Sequence, residues 1–258
     1  MTTIIVIFVI LGLLIGSFLN VCICRLPENL SVVLPRSHCP SCKNQIAASD
    51  NIPIISFILL RGHCRACQSK IAWQYPLVEA LNGVGYFLIL NHFGLTFETP
   101  IYAIFFSALL VITFIDLKHQ IIPDVITLPG IPLALLAASF LLPTGFINGL
   151  IGLLLGGGLF YLIAVLSLLI LKKEGMGGGD VKLIAMIGAL LGWKAVLFTT
   201  FAASILGSVI GLLLIATRVK SRTDVIPFGP FLVLGALIAL FWGNDMINAY
   251  FLYARGYS

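Results

Sequence analysis

Two aspartates stand at the ends of apolar runs: Asp116 follows the uncharged stretch Ile101 to Ile115, and Asp180 precedes Leu183 to Leu191. Ionisable groups at membrane depth are costly and mark candidate functional sites. Two carboxylates held close cannot both ionise, so one keeps its proton while the other stays charged. The charged member can take a proton from water, and the neutral member can donate one to a peptide carbonyl. Such a pair hydrolyses an amide without a covalent intermediate. No serine or cysteine stands in a recognisable nucleophile motif. The donor must keep its proton near neutrality, whereas free aspartate titrates near ~3.9, so a bell-shaped pH profile is expected. Asp124 is the second choice for the first aspartate. Gly175, Gly177, Gly178 and Gly179 precede Asp180 and are expected to supply backbone conformations closed to other residues. They would bring Asp180 close to a neighbouring helix and leave room for an extended substrate. A phosphate-binding loop is a poor fit, because no Lys-Ser or Lys-Thr follows and no strand precedes. Glu79 either packs near this site or lies at the interface, and Glu174 reads as a solvated charge.

A second constellation is made of sulfur. Cys39-Pro-Ser-Cys42 and Cys64-Arg-Ala-Cys67 are separated by 21 residues. Two such pairs can supply four thiolates to one tetrahedral zinc. The other readings are two disulfides or four ordinary thiols. Disulfides rarely persist in the cytoplasm, where this loop is placed below. Four thiolates leave no open position, so the metal would be structural and would fold a loop with little core of its own. His38 and His63 each precede a cysteine, as spare ligands or as loop polarity. Cys22 and Cys24 read as small packing residues.

The elements that must position these groups are apolar helices. Hydrophobic residues make up 60% of the 258 positions, charged residues 10%, and the mean hydropathy is +1.11. A soluble domain carries about a quarter charged residues. Eight runs are long enough to be spanning helices: 3–24, 74–91, 100–117, 122–142, 147–171, 181–194, 196–217 and 226–242. The first lacks the basic start of a signal peptide and reads as a retained helix. With the N-terminus outside, four loops face the cytoplasm and hold 13 of the 15 basic residues. Only Lys194 and Arg255 fall outside, and both termini are then external. The net charge of +5 is thus a topology signal with anionic lipid as its neighbour, and nucleic acid is not expected as a partner. The fold class is all-α and polytopic: a bundle of about eight transmembrane helices with a zinc-binding cytoplasmic loop. Residues 1–73 form the first helix plus that loop, and residues 74–258 form the aspartate-bearing domain.

At this point the motifs resemble a known family. Gly177-Gly178-Gly179-Asp180 fits the GxGD pattern of intramembrane aspartic proteases. The stretch Glu174 to Lys182 is similar to its form in bacterial type IV prepilin peptidases. Gly16-Ser17-Phe18-Leu19-Asn20-Val21 with Arg25-Leu26-Pro27 resembles that family's N-terminal signature. Asp116 to Asp124 resembles its first aspartate motif, and Pro227-Phe228-Gly229-Pro230-Phe231 its last-helix motif. The resemblance implies cleavage of the short basic leader of prepilins or pseudopilins at the cytoplasmic face of the bacterial inner membrane. The cut falls between a glycine and usually a phenylalanine. It implies Asp116 and Asp180 as the catalytic pair. It also implies methylation of the new α-amine from S-adenosylmethionine, in the region of residues 1–73, with no donor-binding residues assigned. Rival readings are another GxGD intramembrane protease, a proton- or cation-coupled transporter using the aspartates as relays, and a scaffold docked through the cysteine loop.

Overall fold

The computed structural model describes residues 2–172, 176–221 and 226–255, with side chains as far as Gly243, Leu171 excepted. Lys173, Glu174, Gly175 and Arg222 lie outside the described residues, so the expectations placed on them are not met by any structural account. Every one of the eight apolar runs is helical. The elements are α1 (Thr2–Arg25), α2 (Ile55–Leu59), α3 (Gln74–Phe93), α4 (Glu98–His119), α5 (Asp124–Phe140), α6 (Gly145–Leu166), α7 (Gly178–Leu191), α8 (Trp193–Ala216) and α9 (Gly229–Arg255). α6 continues into a π-turn over Ser167–Leu171. Among the described residues, four helical segments are long and apolar enough to cross a membrane: Thr2–Glu28, Glu98–His119, Gly145–Ile170 and Trp193–Ala216.

The chain divides into two compact units, Met1–Ile115 and Asp116–Ser258. In the first, α3 lies along α1. Gly12 and Gly16 of α1 open the space for close approach: a Cβ on Gly12 would stand 2.9 Å from the Tyr86 ring, and one on Gly16 2.8 Å from Glu79 Cα. The polar residues of α3 turn into this contact. Asn82 Nδ2 donates to Gly12 O at 2.7 Å, and Ser107 Oγ of α4 donates to Asn82 Oδ1 at 2.9 Å. In hydrocarbon every polar group must find an internal partner. That requirement explains a helix that carries Glu79 and Asn82 and still packs as an apolar element.

In the second unit α7 is the central element. At 14 residues it is about 21 Å long, short of the ~30 Å hydrocarbon thickness. Every residue from Leu183 to Leu190 is buried. A helix that is apolar all round is one that is covered all round. Small residues let α6 reach it: Gly149, Gly152 and Gly156 abut the backbones of Ala189, Gly188 and Ile184. α5 runs through Pro129 and Pro132 without ending. These prolines sit inside a run read from sequence as one span, and packed neighbours tolerate the backbone groups they free.

Candidate active site and metal centre

Asp116 lies in the last turn of α4 and is 5% exposed. Its Oδ2 accepts the Gly229 N–H at 3.0 Å. Gly229 is the first residue of α9, so the carboxylate sits at a helix N-terminus, where unpaired N–H groups favour negative charge. A Cβ on Gly229 would stand 2.5 Å from that oxygen. Only glycine admits the carboxylate there. Pro230 follows in the first turn, where its missing N–H costs nothing. The sequence marked this segment as a motif without a role for its glycine.

Asp180 lies in the first turn of α7, half-buried, with its N–H donating to Gly177 O at 3.1 Å. Asp116 and Asp180 flank a common side chain. A third residue links them sterically. Ile122 lies against Gly229 and also against Gly179, whose added Cβ would stand 2.8 Å from Ile122 Cβ.

The glycines before Asp180 work differently from the expectation. Gly177 has φ −70° and ψ 139°, ordinary extended backbone, and Gly178 and Gly179 are helical. None of the three has positive φ. Gly179 is needed for close approach to Ile122, whereas a Cβ on Gly178 would meet nothing within 4 Å. Asp124 is turned to another task. It starts α5, its side chain is 54% exposed, and its Oδ1 takes Lys182 Nζ at 2.6 Å.

In the first unit the four sulfurs of Cys39, Cys42, Cys64 and Cys67 all lie within 4.8 Å of one another. Zinc bound at ~2.3 Å to four tetrahedral thiolates requires S···S edges of about 3.8 Å. Cys39 Sγ and Cys67 Sγ are 3.8 Å apart. The donor set fits a closed four-sulfur metal site. His38 and His63 stand outside the cluster, each with Nδ1 against a backbone carbonyl, that of Arg36 or Arg61. The Cys42 N–H and the Ser69 hydroxyl favour the Cys39 thiolate and lower its pKa to about 6. Cys42 is pushed up to about 11: the Asn44 N–H favours its thiolate, but burial and the neighbouring thiols outweigh it. Four thiolates so close need a cation.

The two halves of the cluster are the same turn twice. Cys39 N–H donates to Asn44 O and Lys43 N–H to Cys39 O. Cys64 N–H donates to Ser69 O and Gln68 N–H to Cys64 O. Ile46 N–H closes on Ser37 O as Ile71 N–H closes on Gly62 O. The offset is 25 throughout, and the sequence carries it as Arg36-Ser-His-Cys39 and Arg61-Gly-His-Cys64. Aligning the chain with itself at that offset would have revealed the repeat. Arg65 ties the second turn to the 48–51 turn with a bidentate pair to Asp50 at 2.8 and 2.7 Å.

Glu79 is 7% exposed, and its Oε2 accepts the Ile54 N–H at 2.8 Å. It is a tether for the cysteine loop, a role the sequence did not disclose. Cys22 is buried as expected, while Cys24 is exposed. A cavity of about 280 Å³ beside the end of α1 has Ser17, Arg25, Arg36 and Asn51 in its lining, and it offers room for a small polar ligand.

Comparison with known proteins gives this arrangement its context. Residues 10–93 match the model of the bacterial peptidase A24 N-terminal domain, and residues 103–212 match that of the type IV leader peptidase family. A prepilin leader peptidase/N-methyltransferase of Pseudomonas aeruginosa is 34% identical over 269 residues, covering 95% of this chain and 93% of that protein. The chain belongs to the type IV leader peptidase family. A relative of the same description from Stutzerimonas stutzeri is 35% identical, with 95% and 93% covered, and one from Legionella pneumophila 36%, with 94% and 92%. No solved structure matches the chain. The two family models meet the two compact units in order: the N-terminal model spans the cysteine turns, and the leader peptidase model begins on α4 and holds Asp116, Asp124 and Asp180.

Proposed function

We propose that this protein cuts the short basic leader from type IV prepilins or pseudopilins and methylates the amine so exposed. The observation that carries the reading is the family match over nearly the whole chain, joined to two aspartates whose neighbouring glycines, Gly229 and Gly179, meet on Ile122. A transporter is not favoured by these relatives.

In the proposed mechanism Asp116 and Asp180 share one proton. The charged carboxylate takes a proton from a water, whose oxygen adds to the scissile carbonyl carbon. The neutral carboxyl donates its proton to the carbonyl oxygen. The tetrahedral adduct collapses with return of that proton, the C–N bond breaks, and the leaving amine takes the proton first removed from water. The extended backbone needed at the cut is eased by the glycine that precedes it. The Gly229 N–H holds one oxygen of Asp116 throughout. S-adenosylmethionine would supply the methyl group, and the first unit, which holds the N-terminal domain match, is where we place its binding. A structural zinc on Cys39, Cys42, Cys64 and Cys67 would hold that unit's loop. The topology that goes with this reading is eight spanning helices in the bacterial inner membrane, both termini outside and both aspartates at the cytoplasmic face.

The test is cleavage of a prepilin in detergent by wild type, Asp116→Asn, Asp180→Asn and Asp124→Asn. Loss by roughly 10²–10⁴-fold for the first two is expected from removal of general acid–base catalysis. Asp124→Asn removes only an exposed ion pair of about 1 kcal/mol or less and should still cut. Robust cleavage by Asp180→Asn overturns the mechanism.

A further inference from the structure

One surface of the first unit is built the wrong way round for water. On α2, Ile55, Ile58 and Leu59 are 54%, 65% and 74% exposed, while Ser56 is buried. Positions i, i+3 and i+4 share one helix face, so the outward face is wholly apolar. The hydroxyl is turned inward, where Ser56 Oγ accepts the Ile52 N–H at 3.0 Å and donates to Ser49 O at 2.9 Å. Trp73, 76% exposed, packs on Phe57 with ring centroids 5.0 Å apart and extends the same apolar surface. A helix facing water shows the opposite pattern.

The register of α3 on α1 fixes the depth of this patch. Gly12 meets Tyr86, Gly16 meets Glu79, and Asn20 Nδ2 donates to Tyr75 O at 3.0 Å. As α1 advances α3 retreats, so Trp73 stands level with the last turn of α1. That turn ends an apolar helix long enough to cross the bilayer, Thr2–Glu28. The patch therefore lies where hydrocarbon gives way to headgroups, the depth at which indole rings concentrate. Arg61 and Lys70 are exposed beside it, and cations at that depth attract anionic headgroups. The buried Glu79 carboxylate sets the height of α2 by holding the N–H of Ile54, the residue before the helix. Ile54 has φ +62°, a conformation a β-branched residue adopts only when its surroundings impose it.

We propose that α2 and Trp73 form an interfacial wedge. Their apolar face lies roughly 5–10 Å into the headgroup–acyl boundary of an anionic bilayer and lays the cysteine turns flat on the membrane. Through α2 the wedge gives the loop an attachment to the membrane beyond its two flanking helices.

The test uses the full chain in anionic proteoliposomes with Trp193→Phe and Trp242→Phe, so that Trp73 is the single indole of the original three. Lipids brominated near the headgroup should quench its fluorescence more than lipids brominated deep in the chains, and aqueous acrylamide should quench it weakly. Adding Ile58→Glu and Leu59→Glu should shift the emission to the red and abolish most of the bromine quenching, with bound metal unchanged. Should that variant lose its metal, Ile58→Ser alone should lower the quenching in the same direction. Water-like emission with no bromine quenching overturns the proposal. Shielding that appears only at several copies per vesicle assigns the face to a second copy, and shielding only on adding prepilin assigns it to substrate. Either result also overturns it.

Discussion

The cysteine loop of the first unit and the aspartate site of the second solve the same problem, holding charged ligands together, by opposite routes. Each cysteine turn is closed by hydrogen bonds spanning at most nine residues, Ser37 to Ile46 and Gly62 to Ile71, and the whole set lies within one loop. The aspartate site draws on α4, the α4–α5 connection, the N-terminus of α7 and the N-terminus of α9, from Asp116 to Gly229. A local cluster needs a counter-charge to exist, because its own thiols compete for protons. A dispersed one needs a packed scaffold, here α7, buried from Leu183 to Leu190. The loop should therefore fail when its ion is taken, and the aspartate site when its packing is disturbed.

The largest expected effects fall on the groups themselves. In the shared-proton mechanism proposed above Asp116 and Asp180 act as one unit, so the double variant Asp116→Asn/Asp180→Asn should cleave prepilin no more slowly than the worse single variant. Additive losses, measured in single-turnover assays, would mean two independent roles and would break the shared-proton scheme. Next is metal removal. Chelation, or Cys64→Ser, should release one equivalent of zinc per chain and abolish methylation, while cleavage, housed in the other unit, falls far less. Equal loss of both activities would show that the peptidase chemistry depends on the loop as much as the methyl transfer does.

The contrast also explains what could be read from the chain in advance. The cysteine spacing states its chemistry directly, since a tetrahedral ion asks for paired ligands on tight turns. The two aspartates were legible for a different reason, as charges at the ends of apolar runs. That the apolar runs are helical followed from length and hydropathy alone; among the described residues four helical segments are long and apolar enough to cross a membrane. Contacts between segments distant in the chain were not legible. Nothing in Pro227 to Phe231 announces that Gly229 will donate to a carboxylate 113 residues earlier. Glu79 read either as packing near the aspartates or as lying at the interface, and its bond to Ile54 depends on how the loop folds back over α3. Asp124 stands beside Asp116 in the sequence as a second choice, and its ion pair with Lys182, on α7, was not legible there.

A disturbance of packing without loss of any functional group comes next in size. Gly229→Ala puts a methyl 2.5 Å from Asp116 Oδ2. Relieving that contact moves the carboxylate by about 1 Å, and in the proposed mechanism a misplacement of that size costs about 10²-fold in rate. Cleavage should drop accordingly, with substrate affinity and metal content unchanged. A normal rate would show that α9 can yield, and that the Gly229 N–H does not fix the carboxylate.

The smallest effects discriminate most finely, because the glycines before Asp180 differ in their surroundings by one residue. Gly178 faces open space, and Gly178→Ala should leave cleavage unchanged and, as a glycine replaced at an unstrained helical position, add a few tenths to ~1 kcal/mol of stability. Gly179 faces Ile122, and Gly179→Ala overpacks that contact by an amount typically worth about 1–3 kcal/mol. Since Ile122 also borders Gly229, the strain should reach both aspartates and lower the rate roughly tenfold, equivalent to ~1.4 kcal/mol of barrier. Ile122→Val in the Gly179→Ala background removes a methyl from the crowded side chain and should restore part of that loss. If both alanine variants behave alike, with no rescue from Ile122, then the glycines serve backbone flexibility rather than close approach. The aspartate site would then owe less to packing than its dispersed construction implies.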